Sequence, residues 1–357
     1  MAKVIRQTSE IIRDLRNVRY RAGFGHAAAL LTAFALQLIR LKSLKRKVGR
    51  TNPRRAIVVI SLLENFGDIV ACEPVARHVK EKDPSAFIVW LVASHNRELV
   101  QFNPHVDHVL ILSCLTEWIW LSRFIQFDSV VDLQLPGRVC HDCRIPLNKS
   151  AGDQAVTFDN YYNFGSLLTA FSRSAGLPPL NEPANVYIPD SVARRVDQQL
   201  SAENFIVFHC QSCEDSRDWL PAKWRELAER VQADCAVRIV EVGTSSVLAQ
   251  TGLGNFENFC GKLSLLETAE VIKRSKLFVG IDSGPAHFAN ALDVFGIILL
   301  GRYHAFERYL PYSGNYTDPA KAEIIYANGP AASIEVESIF SAIQRRLGLA
   351  SALSQVA

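Results

Sequence analysis

The residues Asp282-Ser283-Gly284-Pro285-Ala286-His287 have the types and spacing to hold a phosphate. An apolar run from Leu277 to Ile281 precedes them, and Phe288 to Leu292 continues beyond. Read as strand, turn and helix, Asp282 and Ser283 take the N-cap and Pro285 the first helical turn. Such a turn aims unsatisfied N–H groups at one point, where the helix dipole also favours negative charge. An ordinary capped turn uses the same residue types.

Other groups answer it. Asp68 ends the loop Leu62-Leu63-Glu64-Asn65-Phe66-Gly67-Asp68, between a strand and a helix, where a carboxylate serves either as a cap or as a general base. In Arg217-Asp218-Trp219 the guanidinium suits a diphosphate clamp and the indole a core cap. Glu241 and Gly243 end a further strand, from which a carboxylate reaches ribose hydroxyls. Two C-x-x-C pairs, Cys140/Cys143 and Cys210/Cys213, offer a four-cysteine metal or redox site. The 66 residues between them do not match a zinc-ribbon spacing, so incidental cysteines are the favoured reading. His95, His105 and His108 read as surface or loop histidines.

These groups require a scaffold of alternating strands and helices. Strands are expected at 56–60, 87–92, 109–112 and 129–133, with helices at 69–82, 97–102, 118–127 and 161–175. After a Gly/Pro-rich break the scheme repeats, with strands at 205–209, 237–242, 277–281 and 295–300 and helices at 222–232, 265–275 and 333–347. This order implies right-handed crossovers and parallel sheets. The boundaries are a helical extension at 1–53, a first Rossmann-like domain at 54–180 and a linker at 181–200. A second Rossmann-like domain follows at 201–332, then a helix and tail at 333–357 that returns to the first domain. A cleft is expected between the domains.

The 357 residues suffice for two cores, and 48% hydrophobic with 21% charged residues argues against extended disorder. Charge is uneven. Residues 1–55 hold 14 Lys/Arg against Glu10 and Asp14, a net +12 in a chain of +3, which leaves −9 elsewhere. Within this head, residues 23–39 form an apolar run with basic residues on both sides. Seventeen residues is short for a bilayer span, and two-sided charge lacks the bias of a spanning helix. An interfacial segment on anionic lipid fits better; the competing reading is a helix docked on the protein body. Nucleic-acid binding is disfavoured because the head lacks interleaved aromatics. Eight cysteines without a secretory signal point to a reducing, cytoplasmic setting.

Together these segments resemble glycosyltransferase family 9, the lipopolysaccharide heptosyltransferase family, over roughly residues 54–345. The likeness rests on Ile57-Val58-Val59-Ile60 with Gly67-Asp68-Ile69-Val70 and Pro74, on Asn103-Pro104-His105-Val106-Asp107, and on Phe127 to Leu133. Trp219 and Val279 to His287 complete it. The resemblance implies an α/β GT-B fold and inverting, metal-independent sugar transfer from a nucleotide-diphosphate donor, typically ADP-heptose. It makes Asp68 the catalytic base, beside Glu64, Asn65 and Gly67 on the acceptor side. The donor falls to Arg217, Glu241, Asp282, Ser283, Gly284, Pro285, His287 and Arg302. The sequence departs from the family where a basic residue usually stands, at Leu62, and where Ser-Ser is usual, at Glu64-Asn65. It departs also where Gly-Pro-Thr is usual, at Gly301-Arg302-Tyr303-His304. Arg217 and Arg302 are then the phosphate charges.

The expected function is transfer of a heptose or related sugar to lipopolysaccharide core or another cell-surface glycolipid, with no cofactor beyond the nucleotide-sugar. The enzyme would sit peripherally on the inner face of the cytoplasmic membrane. Loss of the base at Leu62 motivates an alternative, a catalytically silent nucleotide-sugar- or glycan-binding scaffold. A dinucleotide oxidoreductase is disfavoured because neither half has G-x-G-x-x-G after its first strand.

Overall fold

The computed structural model describes residues 2–63, 65–200, 204–249, 252–304, 306 and 309–349, with side chains from residue 7 onward. The chain divides into two compact units, Met1–Leu180 and Asn181–Ala357.

The first unit opens with α1 (Ala2–Thr51), kinked at Gly23, whose φ of 88° is open to glycine. There follow β1 (Ile57–Ser61), α2 (Phe66–Ala71), α3 (Pro74–Lys82), β2 (Phe87–Ala93) and α4 (Arg97–Gln101). Then come β3 (His108–Leu112), α5 (Leu115–Phe124), β4 (Ser129–Asp132) and α6 (Leu167–Ser174). The four strands are parallel in the order β3-β2-β1-β4. β1 is buried at all five positions, the reason its sequence runs Ile-Val-Val-Ile without alternation. The single helix expected over 69–82 is divided in two, because Pro74 lacks an N–H and opens α3 instead of continuing α2.

α1 is part of this unit's core. Ala27, Leu30, Phe34, Gln37 and Leu41 are buried at three- and four-residue spacing, with Val48 two turns on, one stripe of a helix. Phe34 meets Trp120 edge-on, with ring centroids 5.7 Å apart. Gln37 Nε2 donates to the Ile111 carbonyl at 2.8 Å, and Trp120 Nε1 and Arg123 donate to buried Asp14 at 3.2 and 3.1 Å. The docked reading therefore holds for one face. On the rest, Tyr20, Phe24, Leu31, Leu36 and Ile39 are exposed.

The second unit contains α7 (Asp190–Gln199), β5 (Phe205–His209), α8 (Pro221–Cys235), β6 (Arg238–Glu241), β7 (Phe256–Asn258) and α9 (Leu265–Arg274). It continues with β8 (Phe278–Ile281), α10 (Gly284–Ala291), β9 (Gly296–Leu300), β10 (Ala322–Tyr326) and α11 (Val336–Leu347). Its six parallel strands run β10-β9-β8-β5-β6-β7. Strands β7 and β10 were not expected; their half-buried residues give a weak pattern. The expected linker at 181–200 contains α7, which packs on α9 and joins it through Arg195 and Glu267 at 2.6 Å. In α11, Ile339, Phe340 and Ile343 lie in the second unit's core, against α8 and β9. Because all six strands are parallel, the residues after β5, β6, β8 and β9 open on one edge of the sheet.

Candidate active site

On that edge the β8–α10 junction has the expected form. Ser283 is the N-cap in extended conformation (φ −168°), Gly284 opens the helix and Pro285 lies in its first turn. The Ser283 hydroxyl turns back to the Ile281 carbonyl at 3.3 Å and makes no cap bond to the helix.

Asp282 has a different place from the one expected. It is 2% exposed, and its carboxylate accepts from Arg217 Nη1 at 3.3 Å, from the Tyr312 hydroxyl at 2.9 Å and from the Tyr309 hydroxyl. An anion so held fixes the position of the Arg217 guanidinium. Arg217 is also paired with Glu214 at 3.2 Å and lies 5.0 Å from the centre of the Tyr303 ring. Glu214 in turn accepts from Tyr303 at 2.8 Å and pairs with His304 at 3.0 Å. Glu214, Tyr303, Tyr309 and Tyr312 were missed from the sequence. The signal was the aromatic-rich stretch after β9, read only as a departure from Gly-Pro-Thr.

His287 is 4% exposed, its ring 4.9 Å from that of Tyr312. Burial pushes its pKa down to about 4, Asp282 opposes this and Arg217 adds to it. At neutral pH the imidazole is uncharged, so it brings a hydrogen-bonding group to the turn and no positive charge. Glu241 at the end of β6 accepts from the backbone N–H of Val247 at 2.8 Å and of Leu248 at 3.2 Å, and from the Ser246 hydroxyl. It shapes the loop where a ribose contact was expected. Arg302 is exposed after β9, and its side chain has no hydrogen bond among the described residues.

In the first unit Asp68 stands in the first turn of α2, half-buried, and Asn65 Nδ2 donates to its Oδ2 at 3.2 Å. Asn65 is the N-cap at φ 54°, and Gly67 is buried beneath the turn. Leu62 is fully buried, a position that suits no free charge. Glu64 lies outside the described residues. Of the two C-x-x-C pairs, Cys140 and Cys143 lie in the first unit and Cys210 and Cys213 in the second. Cys210 is buried beside Glu241 while Cys213 is exposed, so this pair presents no shared face. Cys140 and Cys143 instead gather with Cys114, which the sequence reading left out.

The sequence model of glycosyltransferase family 9 (heptosyltransferase) matches residues 166–323, the segment that holds Arg217, Asp282 and the β8–α10 turn. That segment of the chain is similar to glycosyltransferase family 9. Among its relatives is lipopolysaccharide heptosyltransferase 1 of Salmonella typhimurium, 22% identical over 68% of this chain and 88% of the relative. A family 9 glycosyltransferase of Veillonella parvula superposes with a TM-score of 0.62 at 14% identity, over 82% of this chain and 97% of that one. The E. coli ADP-heptose lipopolysaccharide heptosyltransferase II gives 0.60 at 18% identity, over 85% of this chain and 100% of that one. The fold of the chain is GT-B, and the matched segment together with the curated relative makes it a glycosyltransferase.

Proposed function

We propose that this chain transfers a heptose or related sugar from a nucleotide-diphosphate donor, with inversion, to lipopolysaccharide core or a similar glycolipid. The names of its relatives support the substrate class. The observation that carries the mechanism is the Arg217–Asp282 pair beside the α10 N-terminus.

In this reading Asp68 removes the proton of the acceptor hydroxyl as its oxygen attacks the anomeric carbon from the side opposite the phosphate. The bond from that carbon to the phosphate oxygen breaks, and its electron pair leaves with the diphosphate. Charge grows on the departing oxygen, so groups that stabilise it there lower the barrier. Arg217 supplies the fixed cation, the first N–H groups of α10 supply oriented donors, and Arg302 adds an exposed charge. No divalent ion is needed at the phosphates. The test is turnover of ADP-heptose with a heptose-deficient lipopolysaccharide acceptor. Transfer at a rate unmoved by added magnesium or manganese supports the reading; no transfer, or strict dependence on either ion, overturns it.

We further propose that α1 seats the enzyme on an anionic membrane surface. Phe24, Leu31 and Ile39 lie outward on its exposed side, between Arg13, Arg16, Arg19 and Arg21 at one end and Arg40, Lys42, Arg46 and Arg50 at the other. The helix is long and apolar enough to cross a membrane, but its docked stripe and the buried Asp14 favour lying on the surface. Deleting it would uncover Trp118 and Trp120, so surface substitution is the cleaner experiment. Phe24→Ser with Ile39→Ser should abolish flotation with anionic liposomes. Undiminished flotation would refute this role for α1.

A further inference from the structure

Outside the transferase site, three thiols and an imidazole from three separate stretches of the first unit converge. Cys140 and Cys143 are fully buried and Cys114 is 6% exposed. Their sulfurs all lie within 4.8 Å of one another. Cys114 Sγ is 3.8 Å from Cys143 Sγ, and His26 Nε2 of α1 is 3.5 Å from Cys143 Sγ. A tetrahedral ion with metal–sulfur bonds of about 2.3 Å and metal–nitrogen bonds of about 2.05 Å sets sulfur–sulfur edges near about 3.8 Å and sulfur–nitrogen edges near about 3.5 Å. These two separations match such edges, and 3.8 Å is far beyond a disulfide bond. His26 touches Cys143 but stands outside the group of three sulfurs that lie mutually within 4.8 Å, so its ring must shift toward Cys114 and Cys140 to complete a tetrahedron.

The backbone around the pair forms a tight hairpin. Val139 bridges Pro146 in antiparallel fashion, and Cys140 N–H donates to the Ile145 carbonyl at 2.9 Å. Arg144 N–H donates to the Cys140 carbonyl at 2.9 Å, and Arg144 itself takes the left-handed φ of 57° that closes the turn. The hairpin turns both sulfurs inward and leaves the His141 side chain 85% exposed, paired with Asp142. Cys114 comes from the junction of β3 and α5, and His26 from just beyond the kink in α1.

We propose that Cys114, Cys140, Cys143 and His26 bind one zinc ion, a structural Cys₃His site that staples α1 to the body of the first unit. Soft thiolates with one imidazole in a tetrahedron suit zinc. With His26 drawn in as the fourth ligand, no position is left open for a water or substrate, and the ion is structural. Binding displaces the thiol protons to solvent, and affinity therefore falls as pH falls.

The experiment uses the full chain, reconstituted with zinc sulfate under reducing conditions, desalted and measured by elemental analysis. One zinc per chain is expected. His26→Ala should weaken zinc more than the roughly 10–100-fold lost with an outer-shell partner, read by competition with a chromophoric chelator. Cys114→Ser should do the same, while His141→Ala and Cys213→Ser should retain the ion. Should the variants fail to fold, cobalt(II) added to the wild-type chain decides. Intense tetrahedral d–d bands with sulfur-to-metal charge transfer support the site, and an octahedral spectrum refutes it. Substoichiometric zinc after reconstitution, or zinc binding unchanged in both His26→Ala and Cys114→Ser, overturns the proposal.

Discussion

Two strand-to-helix turns in this chain carry an aspartate, and the two aspartates live in opposite surroundings. Asp68 lies half-buried in the first turn of α2, with Asn65 bonded to its carboxylate. Asp282 lies 2% exposed after β8, held by Arg217 and two tyrosine hydroxyls. The local sequence device is the same, but the chemistry is not. A carboxylate still open to solvent can accept a substrate proton. One enclosed by a cation and two hydroxyls is an anchor, and its effect on a ligand passes through Arg217.

The sharpest way to break this contrast is Asp68→Asn. Losing a general base should lower turnover by about 10²–10⁴-fold with almost no change in thermal midpoint; near-wild-type turnover would remove Asp68 from the mechanism. Asp282→Ala should fail in the other sense. It removes the buried partner of Arg217 and the acceptor of buried Tyr312, and denaturant titration should show a loss on the order of 3 kcal/mol. If Asp282→Ala keeps its stability and loses only turnover, the anchor reading is wrong.

Glu241→Gln extends the comparison to β6. Weakening an acceptor for two N–H groups and a hydroxyl should destabilise by about 1–3 kcal/mol while leaving nucleotide affinity nearly unchanged, measured by calorimetry. A large affinity loss in a stable protein would return Glu241 to the ribose. His287 makes a pH prediction. Its folded pKa of about 4 lies below the ordinary histidine value, so the unfolded chain binds the proton first. The contribution to stability is complete above the unfolded pKa and is lost as pH falls through 6.5 toward 4, with a slope of at most about 1.4 kcal/mol per pH unit. His287→Phe should flatten that slope, and an unchanged slope would mean the ring is not the titrating group. Arg302→Ala, an exposed charge, should raise the donor KM by at most about fivefold, equivalent to about 1 kcal/mol.

Much of the scaffold was legible because parallel strands buried on both faces read as unbroken apolar runs, as in Ile57 to Ile60 and Leu277 to Ile281. The weak edge strand β7, at Phe256–Asn258, gave no such run and escaped notice. In the site, Arg217 and the β8–α10 turn were legible because a capped turn is a local motif. Tyr309 and Tyr312 were not, because their hydroxyls reach Asp282 from about thirty residues away in sequence.

The sequence by itself determined the alternation of strands and helices, the family resemblance and the strand-to-helix turn at Ser283, since periodicity and helix starts are written in neighbouring residues. Only the tertiary structure decided which charges meet. It set Asp282 under Arg217, turned Glu241 into its own loop and buried His287 until its imidazole is neutral. It also docked one stripe of α1, brought His26 to Cys143 and gathered Cys114 with Cys140 and Cys143. Burial and long-range contact fix the electrostatics of a side chain, and neither is a property of its neighbours in sequence.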